Sequence, residues 1–142
     1  MIKTKVCILG AGPAGATTAL YLEKMGISSV LIDKAVFPRH KTCGEAMRIN
    51  VHFVLKDLNP NYLKELKNNI VLKSSQLRLI AKNGQDLKIH LGKAFCYLGK
   101  RYDFDNFLIS KVKAKPTIQL IENQSISKII KTKIGCTIIY YQ

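Results

Sequence analysis

Six residues near the start of the chain constrain its fold more than any others: Gly10-Ala11-Gly12-Pro13-Ala14-Gly15. Lys5 to Leu9, just before them, is apolar enough for a short buried strand, and Pro13 to Met25 carries a helix. Pro13 at the first helical position and Gly26 beyond the last supply the start and the stop of that helix. Val30-Leu31-Ile32 then read as a second buried strand ending in an acid, Asp33, 18 residues past Gly15. Strand, glycine turn, helix and strand make a parallel βαβ unit, and an acid at that spacing marks a turn suited to a dinucleotide. Each glycine has a mechanical reason. Gly10 permits the tight turn, Gly12 lets backbone N–H groups approach a pyrophosphate, and Gly15 lets the helix lie close on the strand. The helix start adds about half a positive charge and free N–H donors, which favour a diphosphate. The Asp33 carboxylate can accept hydrogen bonds from an adenosine ribose.

Composition narrows the remaining classes. A chain of 142 residues is one domain's worth, and 47% hydrophobic with 23% charged residues lies in the globular range. The longest stretch of apolar or small residues, Val6 to Ala16, is broken by glycines and a proline and falls short of the ~20 residues a membrane crossing needs. The basic start, Met1 to Lys5, leads into the glycine turn rather than to a cleavage signature, which reads as an intracellular, cytoplasmic protein. A net charge of +14 raises nucleic acid as a partner, yet 19 of the 23 basic residues are lysines spread from Lys3 to Lys133. A lysine-biased surface is the simpler reading, and no nucleic-acid partner is expected. Cys7, Cys43, Cys96 and Cys136 form no C-x-x-C pair and have no clustered histidines, so free thiols in a reducing compartment and no metal site are expected.

After Asp33 comes a polar loop, Phe37 to Glu45, with Arg39, His40 and Lys41 expected to be solvated. Helices are predicted around Met47 to Asp57 and, after Pro60, around Tyr62 to Asn68. Gln76 to Ala81 and Leu87 to Leu91 alternate apolar with polar around Asn83-Gly84, the pattern of an antiparallel hairpin. A strand is predicted near Phe95 to Gly99, and then a helix capped by Asp103 and ended by Pro116, with Phe104, Phe107, Leu108 and Val112 on one face. Thr117 to Ile121, Ile126 to Lys131 and Cys136 to Tyr140 read as three short strands. His52 and His90 read as packed or surface histidines rather than bases or ligands. The expected division is a βαβ core over 4–34, hairpin and substrate-domain strands over about 74–100, and a returning helix and strands over 103–142.

Three segments carry a family resemblance. The spacing of Gly10 to Gly26, with Ala19 between, looks like the FAD version of the glycine motif. Phe37-Pro38-Arg39-His40-Lys41-Thr42-Cys43-Gly44-Glu45 resembles the F-P-R-x-K-x-C-G-[ED] loop of the geranylgeranyl reductase family, within the para-hydroxybenzoate hydroxylase-like flavoproteins. Arg101-Tyr102-Asp103-Phe104-Asp105-Asn106-Phe107-Leu108 resembles that group's R-x-x-F-D-x-x-L segment. The resemblance implies an α/β fold: a Rossmann-like FAD-binding βαβ unit with the beginning of an antiparallel β substrate domain, in an incomplete fold. It implies FAD contacts from Gly10, Gly12, Ala14, Gly15, Asp33, Cys43, Gly44 and Arg101, and from backbone near Ile126 beside the adenine. The group's later D-G and G-D segments are absent, so the chain is expected to be the N-terminal part of a longer enzyme, lacking its C-terminal half.

For the complete relative, the resemblance implies an FAD-dependent oxidoreductase that delivers hydride to isoprenoid double bonds of an apolar small molecule. NAD(P)H would visit as a transient electron donor, because the chain holds a single dinucleotide motif. Monooxygenase or halogenase chemistry on the same fold, and an inactive remnant, stay open as alternatives. No catalytic residue is assigned. A lipid-like substrate and the lysine excess would together suit peripheral contact with an anionic membrane.

Overall fold

The elements follow one another as β1 (Val6–Leu9), α1 (Pro13–Lys24), β2 (Ser29–Ile32), β3 (Ala46–Arg48), α2 (Asn50–Leu58), α3 (Pro60–Asn69), β4 (Leu72–Ser74), β5 (Gln76–Ile80), β6 (Asp86–His90), β7 (Cys96–Leu98), α4 (Arg101–Lys113), β8 (Ile118–Ile121), β9 (Ser125–Thr132) and β10 (Gly135–Tyr141). The structure, a computed structural model, describes residues 2–43, 45–92 and 95–141. It divides into two units, residues 1–40 with 105–142 and residues 41–104.

In the first unit β1, β2 and β8 form a parallel sheet with β2 at its centre, and all four β2 residues are buried. Register places Ile8, Leu31 and Leu120 side by side, so they share one face, while Cys7, Val30 and Gln119 share the other. Helix α1 lies on the Ile8 face with Ala16, Ala19 and Leu20 buried. A Cβ at Gly15 would stand 3.3 Å from Ile8 Cγ2 and collide outright with the carbonyl of Gly10. Only glycine allows that approach. Gly26, at φ +74, ends the helix, and the Ile27 N–H donates back to the Leu22 carbonyl at 2.8 Å. The antiparallel hairpin β9–β10, with a register shift between Ile139 and Tyr140, completes the unit. Lys115 Nζ pairs with Glu23 at 3.1 Å and Lys113 Nζ with Glu122 at 2.9 Å, anchoring the segments around β8. The βαβ order and the three late strands appear at the predicted places.

The second unit is built on the antiparallel sheet β3-β7-β4, helices α2 and α3, and the hairpin β5–β6. Among the described residues, Met47, Leu55, Leu63, Leu66, Val71, Tyr97 and Phe104 are its buried side chains. Asn59 caps α3 by accepting from the Asn61 N–H at 2.9 Å, with Pro60 in the first turn.

Two expectations are corrected, and one strand is new. Ala46–Arg48 is a strand, although a helix was predicted from Met47; pairing with Cys96–Leu98 outweighs local helical spacing, and the helix starts only at Asn50. Helix α4 begins at Arg101 rather than after Asp103, so Asp103 lies in the first turn, where its charge faces the positive helix end. Strand β4 was not predicted: three residues carry too little periodicity, and its partner is distant in sequence.

Leu31, fully buried in β2, tests this core. Leu31→Ala is expected to cost ~2–5 kcal/mol in urea unfolding, and Ile134→Ala, at a fully exposed position, to stay within about 0.5 kcal/mol of the parent.

Candidate functional site

The glycine turn is held from beneath by one carboxylate. Asp33 is 8% exposed; its Oδ2 accepts from the Ala11 N–H at 2.6 Å and its Oδ1 from the Ala35 N–H at 2.8 Å. Its own N–H donates to the Ile121 carbonyl at 3.0 Å, and its carbonyl accepts from the Gln124 N–H at 3.0 Å. The Gly10 N–H donates to the Ile32 carbonyl at 2.7 Å, and Gly10 takes φ +97, which only glycine adopts without strain. An ionised carboxylate has about four acceptor positions, so these two bonds leave capacity for ribose hydroxyls.

Above this brace, Gly12 caps α1 without any side-chain cap, and Pro13 brings no N–H. The first-turn donors at Ala14 and Gly15 therefore point out of the helix start with the positive end of its dipole behind them. A Cβ on Gly12 would meet a single heavy atom, Arg39 Nη2 at 3.7 Å. The space beside Gly12 is thus open and faces a guanidinium. That is what a diphosphate needs: close backbone approach, free N–H donors and a fixed positive charge. The residues present fit the dinucleotide expected from the sequence.

Arg39 corrects the expectation of a solvated loop residue. Its side chain is 19% exposed, Nη2 lies 3.4 Å from the fully buried Asp105 Oδ2, and its Cζ stands 4.9 Å over the Phe37 ring. Phe37, at a cis bond to Pro38, donates its N–H to Glu122 Oε1 at 2.8 Å. A buried carboxylate needs such a cation nearby, and the pair explains why an acid stands at position 105. Sequence reasoning missed the pairing because its partners are far apart along the chain. A signal was available: the arginine and the acid lie in the two segments that carried the family resemblance.

Of the other expected site residues, Ile126 is half-buried on β9, paired with Tyr140 and two residues past Gln124. Cys43 and Arg101 belong to the second unit, where Cys43 is exposed. Its thiol is held below the usual range by a backbone hydrogen bond at Glu45, then by a hydrogen bond and the charge of Arg101. Gly44 lies outside the described residues. His52, in the same unit, shares a 3.0 Å hydrogen bond between Nδ1 and the Tyr97 hydroxyl, its ring stacked on Tyr97. Burial, then Lys67, Lys56 and Lys73, push the His52 pKa down, keeping the ring neutral near pH 7.

Residues 3–46 match the family model described as the FAD binding domain. An uncharacterized protein of Methanosarcina barkeri is 34% identical over 111 residues, which is 78% of this chain and 27% of that protein. A geranylgeranyl diphosphate reductase of Rhodobacter capsulatus is 29% identical over 108 residues, 75% of this chain and 25% of that protein. Among solved structures, the myxobacterial chondrochloren halogenase, a FAD-dependent halogenase, superposes with a TM-score of 0.83 at 20% identity, covering 96% of this chain and 32% of that one. The class is therefore a Rossmann-like FAD-binding fold, and its cofactor is FAD. The chain spans about a quarter of the length of these two curated relatives. Among the described residues, no helix is long and apolar enough to cross a membrane.

Two outcomes follow from this geometry. Asp33→Ala leaves the Ala11 and Ala35 N–H groups without their acceptor and is expected to cost about 1–3 kcal/mol in denaturant unfolding. Because the Cys43 pKa is lowered, its thiolate persists to lower pH than that of an ordinary thiol. Its iodoacetamide alkylation should therefore half-saturate at a lower pH than that of an unperturbed cysteine in a reference peptide, and Arg101→Gln should move that midpoint upward.

Proposed function

We propose that this chain supplies the part of an FAD-dependent oxidoreductase that holds the pyrophosphate and adenosine ribose, and that the enzyme saturates isoprenoid double bonds. The observation that carries the first half is the space at Gly12, open beside the start of α1 and facing Arg39. In this reading Gly10 shapes the turn, and the N–H groups around Gly12, Ala14 and Gly15 bind the diphosphate. Gly15 lets α1 approach β1. Asp33 braces the turn and receives the ribose, Arg39 adds positive charge, and backbone near Ile126 borders the adenine. Cys43, Gly44 and Arg101 are carried as further cofactor contacts on the strength of their sequence motifs.

Reduced FAD, when bound, supplies hydride. The protein's part is to hold the cofactor and exclude water around an apolar substrate. The Phe37–Glu45 loop and the likeness to a geranylgeranyl diphosphate reductase across most of the chain favour isoprenoid reduction. The likeness to a FAD-dependent halogenase in fold favours the alternative of halogenation or oxygenation. NAD(P)H is the proposed transient donor. Peripheral contact with an anionic membrane, through the lysine excess, would deliver a lipid-like substrate.

Gly12→Val fills the space beside Arg39 and is expected to lower FAD affinity at least 100-fold in titration calorimetry without changing the circular dichroism spectrum. Unchanged affinity would contradict the assignment of the turn. With FAD, NADPH and geranylgeranyl diphosphate under anaerobic conditions, mass spectrometry should show product gaining hydrogen pairs. Product that appears only with oxygen and halide would favour the halogenase alternative.

A further inference from the structure

The sheet face opposite α1 fronts a cavity of about 750 Å³ within the first unit. Cys7, Val30, Ile32 and Ile121 line it from the sheet, and Cys136 and Ile138 from β10. Two thiols, one on the sheet and one on the hairpin, therefore line the same space, which Lys3 and Lys5 also border. Cys7 is partly buried and Cys136 is exposed. Burial first, then the charge of Cys136, raise the Cys7 pKa. At neutral pH Cys7 rests as the thiol, while Cys136 is open to reagents in water. This asymmetry suits a pair in which one sulfur is attacked first and the other resolves it.

We propose that Cys7 and Cys136 are a peroxide-responsive pair whose disulfide clamps the β9–β10 hairpin to strand β1. The Cys136 thiolate attacks hydrogen peroxide, cleaving its O–O bond to give a sulfenic acid and hydroxide, which takes up the thiol proton as water. The Cys7 sulfur then attacks the sulfenic sulfur, the S–S bond forms, and the sulfenic hydroxyl leaves as water with the Cys7 proton. Two thiols are oxidised by two electrons and one peroxide is reduced to two waters. A thiol reductant reverses the clamp. The pair needs no flavin, so it stands independently of the function proposed above.

The test treats the purified 142-residue chain with a slight molar excess of hydrogen peroxide, blocks the remaining thiols with iodoacetamide and digests with trypsin. The expected result is a cross-linked species joining peptides Val6–Lys24 and Ile134–Gln142, lost on reduction, with two of the four thiols still alkylated. Cys136→Ser should abolish the cross-link, and dimedone should trap the sulfenic acid at Cys136 in Cys7→Ser. The same treatment in 6 M guanidinium should lose the preference for this pair. Cys136 advancing to sulfinic acid while Cys7 stays alkylatable would overturn the proposal, as would cross-links between chains or a dominant bridge through Cys43 or Cys96.

Discussion

One carboxylate sets the geometry on which the candidate site depends. Asp33 closes β2, receives the N–H of Ala11 across the glycine turn and that of Ala35 in the next loop, and through its backbone ties β2 to β8 and to the entry of β9. The turn is thereby fixed in the position where the first donors of α1 face outward. Gly15 makes the same arrangement possible from the other side, because any side chain there would strike the Gly10 carbonyl and lift the helix off the sheet. The donors at the turn are thus backbone groups, which a side-chain inventory alone would not reveal.

Arg39 and Asp105 extend that logic. The acid is fully buried and the arginine beside it reaches to the edge of Gly12, so one charge pair keeps a loop and a helix in place and leaves a cation at the mouth of the turn. A fixed guanidinium costs no further ordering when an anion arrives, which is the physical advantage of prearranged charge. A phosphate entering there would meet charge and N–H donors together.

The βαβ unit was legible in the sequence because its signals are local: a short apolar run on either side, glycines at fixed offsets, Pro13 to open the helix and Gly26 to close it. Helix α3 and the hairpin around Asn83-Gly84 were legible for the same reason. What stayed hidden depends on distant partners. Ala46–Arg48 follows helical spacing and becomes a strand only because Cys96–Leu98 pairs with it, and β4 exists through the same central strand. Arg39 looked like a solvated loop residue, and its role emerged with a partner 66 positions away. The bracing of the turn by Asp33 was also illegible, since an acid at the end of a strand signals a ribose contact equally well whether or not it braces the turn.

In the proposed function, the first unit recognises the doubly phosphorylated adenosine half of its cofactor rather than the flavin ring. Competition calorimetry with FAD, ADP and riboflavin measures this directly. ADP is expected to displace FAD from the purified protein, while riboflavin at the same concentration is not. Displacement by riboflavin with indifference to ADP would contradict that reading.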